Sequence, residues 1–151
     1  MSVKVLAMTL ALVGVLGARV AAAEEMPATV GPFWFAESVK SAQRKCETFI
    51  PTFVKGTKKV DHARCLVPDD GEYLLSFRAE KLIGISEEID LEMYQICIKH
   101  VLEEIGPKGR GEDKDGYEFW GMALVANNVP AGTVICRQTN DGRYRVGWVT
   151  R

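Results

Sequence analysis

The spacing of apolar residues predicts that this chain is built mainly from helices. In the segment that begins at Pro32, apolar positions recur at alternating steps of four and three residues, as expected of a helix that buries one stripe. These positions are Phe35, Val39, Ala42, Cys46 and Phe49. Proline suits a first helical turn, and Pro51 should end or bend the helix. The pattern therefore predicts a first helix over residues 32–46.

The longest predicted helix covers about 20 residues, from Ser86 to Gly106-Pro107. Ser86 can cap it, and the acidic pair Glu87 and Glu88 complements the positive end of the helix dipole. One face carries Leu91, Tyr94, Ile98, Val101, Leu102 and Ile105, and a second carries Ile89, Met93, Ile96, Cys97 and His100. A helix that is apolar on two sides is expected to lie at the centre of the fold.

Capping signals predict another helix at about residues 70–82. Asp69 with Glu72 forms a capping-box pattern, the residues that follow favour helix, and Gly84 stops it. A strand from Tyr73 to Phe77 is the alternative for this segment.

A fourth helix is predicted at the acidic stretch DKDGYEFWGMALV, which begins at Asp113. Asp115 and Glu118 form a second capping box, and Asn127-Asn128 with Pro130 ends the helix. A strand from Phe119 to Val125 is the alternative, so the pattern does not decide whether residues 118–125 form a helix or a strand.

The carboxyl-terminal residues predict a β-hairpin around Asn140-Asp141-Gly142. Tyr144, Val146 and Trp148 share one face of its second strand. The predicted fold class is mainly α, with about four helices, a C-terminal β-hairpin and disulfide staples. The alternative is an α+β fold with one antiparallel sheet.

The first 23 residues have the features of a secretory signal peptide. They contain an early Lys4, an apolar run from Val5 to Leu16 and the small-residue exit Ala21-Ala22-Ala23. The run is too short to span a bilayer. We therefore expect a signal peptide at 1–23 and a single exported domain at 24–151, in the periplasm or outside the cell, with no membrane insertion after signal removal.

Four cysteines follow that segment, at positions 46, 65, 97 and 136. An even number of cysteines in an oxidising compartment predicts two disulfides. Three pairings can be drawn. We predict Cys46 with Cys65 and Cys97 with Cys136, because each pair closes a loop of moderate length.

Charge is distributed unevenly along the chain. Residues 40–64 carry a formal charge of +5, residues 65–104 carry −7, and the chain without its first 23 residues carries −3. Such asymmetry steers a molecule toward charged partners, but the acidic total argues against nucleic acid.

The acidic stretch fails as an EF-hand, because Gly111 and Met122 would occupy the first and last ligand positions. Catalytic carboxylates should lie apart in a shielded cleft, whereas these alternate with Lys114 in a loop that we expect to be mobile. Instead, the stretch is predicted to contact a partner protein, since aromatic anchors ringed by polar groups carry interface energy. The predicted contact residues are Glu112, Asp113, Asp115, Tyr117 and Trp120.

One alternative is a zinc site. His62 precedes Cys65 by three residues and Cys97 precedes His100 by three, so these four side chains could form a Cys2His2 site. Oxidation of the cysteines would remove it, and the favoured prediction is that no cofactor is bound. No nucleophile motif is present either.

Two short stretches resemble a family of small exported helical proteins, the immunity proteins against type VI secretion amidase effectors. They are CETFIPTFVKG from Cys46 and RCLVP from Arg64. HVLEEIGPKGRG and FWGMALVANNVP are similar to later elements of the family. Pro51, the additional helix before Gly106 and the C-terminal hairpin depart from its pattern. The resemblance implies a helical fold and an inhibitory role, but no functional residue is carried over.

These observations lead to the expectation of an exported, non-enzymatic protein that binds another exported protein, as an immunity-type inhibitor does. Two alternatives remain: a small periplasmic hydrolase or zinc protein using His62, Cys65, Cys97 and His100, and a structural or adaptor protein of the envelope.

Overall fold

The computed structural model describes residues 24–151, and the predicted signal peptide lies outside the described residues. The fold is mainly β, with 52% strand and 19% helix, so the prediction of a mainly helical chain was wrong. The described residues divide into two compact units. The amino-terminal unit comprises residues 27–87 with Thr150, and the carboxyl-terminal unit comprises residues 24–26, 88–149 and Arg151.

The amino-terminal unit begins with two short antiparallel strands, β1 (Thr29–Val30) and β2 (Phe33–Trp34), followed by helix α1 (Val39–Gln43). Four antiparallel strands come next and are neighbours in chain order. They are β3 (Thr48–Phe53), β4 (Val60–Val67), β5 (Gly71–Arg78) and β6 (Lys81–Ile89).

The carboxyl-terminal unit contains the long helix α2 (Leu91–Ile105), a 3-10 helix (Gly106–Gly109) and four strands. The strands are β7 (Arg110–Glu112), β8 (Glu118–Ala126), β9 (Val129–Gln138) and β10 (Tyr144–Thr150). They are neighbours in the order β7, β8, β9, β10, and Glu25 adds a parallel bridge to Val125.

The predicted helix at 32–46 is reduced to the five residues of α1, which Ser38 caps. Its first residues form β2 instead. The side chain of Phe33 is fully buried and meets the Tyr73 ring edge-on, with 5.1 Å between the centroids. Ala36 has φ +69°, which is incompatible with a continuous right-handed helix.

The predicted helix at 70–82 is also wrong, because the segment forms β5 and the start of β6. Tyr73, Leu75 and Phe77 are buried at every second position, which is the period of a strand with one buried face. The strand alternative from Tyr73 to Phe77 describes this segment correctly. Capping signals and helical composition were outweighed by that burial.

Residues 118–125, left open between helix and strand, lie in β8. Trp120, Met122 and Leu124 alternate inward, so the predicted fourth helix is wrong for the same reason. The predicted C-terminal hairpin is formed by β9 and β10. The backbone N–H of Thr139 donates to the carbonyl of Arg143 at 2.8 Å across its turn.

The long helix is present but shorter than predicted, because residues 86–89 belong to β6. Asp90 caps α2 through its side chain, which accepts from the backbone N–H of Met93 at 2.8 Å. Gly106 follows its last residue at φ +73°. The helix buries one face rather than two, since Leu91 and Leu102 remain 50% and 41% exposed.

The core of the carboxyl-terminal unit lies between α2 and strands β8, β9 and β10. The helix contributes Met93, Tyr94, Cys97 and Val101, and the strands contribute Trp120, Met122, Leu124, Val134, Cys136 and Val146. Both predicted disulfides are formed: Cys46 with Cys65 in the amino-terminal unit, and Cys97 on α2 with Cys136 on β9.

Candidate functional site

The acidic turn, residues 112–118, connects the paired strands β7 and β8. Asp113 organises it. One of its carboxylate oxygens accepts hydrogen bonds from the backbone N–H groups of Asp115 at 2.9 Å and Tyr117 at 3.0 Å. The backbone N–H of Asp113 also donates to the carbonyl of Tyr117 at 2.9 Å. Hydrogen bonds to Asp113 therefore hold the backbone of the turn.

Ionisation of Asp113 is part of that arrangement. The hydrogen bond from the Tyr117 backbone lowers its pKa most; desolvation opposes it, and the Asp115 backbone and Arg137 lower the pKa further. Arg137 on β9 donates to the second carboxylate oxygen at 2.8 Å. Asp113 is thus a structural carboxylate whose lone pairs are used within the turn.

A second charged cluster flanks the turn and centres on Glu118, the first residue of β8. Arg110 donates from Nε to one carboxylate oxygen at 2.9 Å, and the Tyr94 hydroxyl donates to the other at 2.9 Å. Arg110 also reaches Glu112 with 3.3 Å between Nη2 and Oε1. Because Glu112 and Glu118 are cross-strand partners, Arg110 offsets the repulsion between two carboxylates.

These contacts keep Glu118 ionised and Tyr94 protonated. Desolvation opposes the shift, but hydrogen bonds from Tyr94 and Arg110 lower the pKa of Glu118 below its ordinary 4.5. Burial, and then the hydrogen bond to Glu118, raise the pKa of Tyr94 above its ordinary value. The Tyr94 ring also stacks on Tyr144, with 4.5 Å between the centroids. A carboxylate with a lowered pKa is a weak general base at neutral pH, so the cluster is better suited to recognition than to proton transfer.

The five predicted contact residues do not share one environment. Glu112 and Asp115 are exposed, Asp113 and Tyr117 are half-buried, and Trp120 is only 7% exposed. Trp120 is the cross-strand partner of Cys136 and belongs to the core of the carboxyl-terminal unit. The tip of the turn is therefore exposed, while Trp120 lies in the core beneath it.

Sequence reasoning missed Tyr94, Arg137 and Glu118 as parts of this site. Tyr94 was placed on a buried helical face and Glu118 in a helix cap. Tyr94 and Arg137 are each 24 residues from the acidic group that they contact. The packing of α2 on β8 brings Tyr94 to Glu118, whereas the pairing of β8 with β9 brings Arg137 to the turn. The one available signal was the clustering of charge around a turn.

The residues of the zinc alternative are used differently. Cys65 and Cys97 are oxidised in separate disulfides. His62 is exposed beside Asp61, with 3.1 Å between Nδ1 and a carboxylate oxygen, whereas buried His100 lies 3.2 Å from a carboxylate oxygen of Glu24. Within residues 24–151, no three His, Cys, Asp or Glu side chains are grouped as metal ligands would be.

Comparison of the chain with protein-family models, curated proteins and solved structures finds no match. Of the helices in the described part of the chain, none has the length and apolar character needed to cross a bilayer. The two disulfides are compatible with an oxidising compartment outside the cytoplasm.

Proposed function

We propose that this chain is an exported, non-enzymatic binding protein whose acidic turn contacts a second exported protein, with the periplasm as the compartment. The observation that carries the proposal is the preorganised turn. Asp113 and Arg137 fix its backbone, so the exposed carboxylates of Glu112 and Asp115 project from a rigid support. Preorganisation lowers the entropic cost of association.

The proposed partner surface is basic. Arg110 and Arg137 are already bonded to carboxylates within the site, whereas Asp115 points its side chain to solvent at the tip. An opposing arginine or lysine would therefore meet a carboxylate that forms no ion pair among the described residues. Complementary charges of this kind increase the rate of encounter and fix the orientation of the complex.

An immunity-type inhibitor is the narrower form of this proposal, in which the turn enters the active site of a partner enzyme. The family resemblance supports it less than the turn does. The resemblance implied a helical fold, whereas the first two stretches lie largely in β3 and β4 and the last lies largely in β8.

Site-specific photo-crosslinking in exporting cells tests the proposal. A photoreactive residue at position 115 should trap one defined partner, whereas the same residue at Glu103, an exposed carboxylate on α2, should not. Neutralising the turn with Glu112→Gln and Asp115→Asn should weaken partner binding about tenfold, and the loss should shrink at high salt.

The matched control is Glu92→Gln with Glu103→Gln, which removes the same charge from exposed positions on α2. If both double variants lost partner binding equally, net charge alone would explain the effect, and a specific site would be contradicted. Crosslinking that is no stronger at position 115 than at position 103 would also contradict it.

A further inference from the structure

The tip of the β3–β4 hairpin exposes apolar side chains that the amino-terminal unit leaves uncovered. All eight residues from Thr52 to Lys59 are exposed. Phe53 and Val54, where β3 ends, are 51% and 44% exposed, and Ile50 on the same strand is 51% exposed. Neighbouring large apolar residues exposed to this degree mark an interaction surface more often than an isolated one does.

The tip has a defined shape of its own. The backbone N–H of Val54 donates to the carbonyl of Lys59 at 2.8 Å, and the Thr57 hydroxyl donates to the carbonyl of Val54 at 2.8 Å. The backbone N–H of Lys59 in turn donates to the Thr57 hydroxyl at 3.1 Å. Phe53 and Val54 are therefore presented by a turn that is closed by its own hydrogen bonds, so docking requires little further ordering.

Charge at the tip is of one sign. Lys55, Lys58 and Lys59 are exposed, and the sequence contains no Asp or Glu from residue 48 to residue 60. The next carboxylate, Asp61, lies beside His62. Among the described residues, none of these three lysines forms an ion pair, so their charge is available to a partner.

We propose that this basic tip docks peripherally on an anionic phospholipid bilayer, with Phe53 and Val54 entering the interface and the three lysines lying among the headgroups. All eight residues of the tip are exposed, so the tip itself encloses no pocket for the anchor of a protein partner. Lysine acts as a point charge that suits a diffuse anionic surface, while arginine is favoured for bidentate contacts with a defined partner. An acidic protein is the competing occupant. The acidic turn is not involved, so this binding is independent of the proposed protein partner.

The chain offers a matched control in the β8–β9 hairpin. Val129 at its tip is 62% exposed, which is more than Phe53, but residues 121–136 contain no charged side chain. If exposed apolar surface alone caused adsorption to lipid, this tip would contribute as much as the basic one.

Co-sedimentation with vesicles of phosphatidylcholine, with and without phosphatidylglycerol, tests the proposal. The variants are Lys55→Gln/Lys58→Gln/Lys59→Gln, Phe53→Ser/Val54→Ser and Val129→Ser in the full chain. Any vesicle binding by other segments is then the same in the unmodified chain and in all three variants. All substituted positions are exposed, and circular dichroism with thermal unfolding should show an unchanged fold.

We expect partitioning onto the anionic vesicles that falls about fivefold for each lysine removed, or about a hundredfold for the triple variant. The apolar double variant should lose about tenfold, and Val129→Ser should lose nothing. High salt should weaken binding of the unmodified chain more than that of the lysine variant. Equal binding to neutral vesicles, an unaffected lysine variant or no binding at all would overturn the proposal. Absence of binding to vesicles combined with tip-dependent crosslinking to an acidic protein would assign the tip to that partner instead.

Discussion

The β5–β6 hairpin of the amino-terminal unit and the β8–β9 hairpin of the carboxyl-terminal unit have the same backbone plan but different turn residues. Each joins its strands through two residues at positive φ, Ala79-Glu80 in the first and Asn127-Asn128 in the second. Each also has a register shift at the second residue before the turn. Positive φ at both central residues marks the type I′ turn that suits the twist of paired strands.

The two turns differ in what their residues prefer. Asparagine tolerates the left-handed region, whereas alanine and glutamate pay a steric cost there. The β5–β6 turn therefore forms in spite of its residues. The buried side chains of Tyr73, Leu75 and Phe77 fix the register of β5, and this register outweighs an unfavourable turn. A hairpin can thus be specified by its buried face alone.

The largest effects should come from the buried faces, where the two hairpins are alike. Leu75 and Leu124 are 0% and 1% exposed, so Leu75→Ala and Leu124→Ala should each lower the free energy of unfolding by about 4 kcal/mol. Urea unfolding followed by fluorescence would measure this. Leu66→Ala and Leu102→Ala, at sites more than 40% exposed, are controls that should cost less than about 1 kcal/mol. A much smaller loss at Leu75 would mean that β5 is not fixed by burial.

Removing either disulfide should lower the free energy of unfolding by somewhat less, and the loss should differ between the two units. They span sequence separations of 19 and 39 residues, for which loop entropy predicts about 3 kcal/mol for Cys46–Cys65 and just under 4 kcal/mol for Cys97–Cys136. Cys97 and Cys136 are fully buried, whereas Cys46 is half-buried, so packing adds to the difference. Paired Cys→Ser variants compared by thermal unfolding should follow that order, and the opposite order would contradict it.

Exchanging the turn residues tests the comparison most directly. Ala79→Asn with Glu80→Asn should stabilise the protein by about 1 to 2 kcal/mol, because asparagine tolerates the left-handed backbone. The reciprocal change, Asn127→Ala with Asn128→Glu, should destabilise it by a similar amount. Denaturant midpoints with unchanged slopes would provide the measurement. Two neutral exchanges would show that the positive φ values carry no cost in either hairpin.

The smallest effect concerns Glu118, at the start of β8. Its folded-state pKa is lowered, so its contribution to stability is present above the ordinary value of 4.5 and is lost as the pH falls below it. Glu118→Gln should cost about 1 kcal/mol at neutral pH, after discounting for partial exposure, and nothing in acid. As the pH falls through this range, the free energy of unfolding of the Glu118→Gln variant should approach that of the unmodified chain. The difference between the Glu103→Gln variant and the unmodified chain should stay the same.

The sequence predicted α2 because its apolar period extends over four turns and ends at Gly106. The sequence did not predict β5 and β6, because Leu, Ala, Glu and Lys around Ala79-Glu80 favour helix. No typical turn residue marks the point where the chain reverses direction. The alternation of Tyr73, Leu75 and Phe77 was visible but too short to outweigh a capping pattern. Local signals thus failed where burial across the sheet decided the structure.

The candidate site was predictable only in part. Clustered charge identified Glu112, Asp113 and Asp115, because a polar turn is recognisable from composition. It also suggested Trp120 as a contact, since a sequence cannot show on which side of a strand a ring lies before the register is known. The pairing of Tyr94 with Glu118 depends on how α2 packs on β8, and no local pattern encodes it.

The residues that precede the first strand have a practical consequence for producing the protein. Glu24 accepts from the Val125 backbone N–H at 3.0 Å, Met26 donates to the Val125 carbonyl at 2.7 Å, and the Glu24 side chain meets buried His100. A chain that began at Pro27 would lack the hydrogen bonds of Glu24 and Met26 to β8. It would also leave buried His100 without the carboxylate of Glu24. Recombinant versions should therefore retain Glu24. Cleavage at the predicted site after Ala23 would leave Glu24 as the new terminus, with its carbonyl already accepting a hydrogen bond from β8.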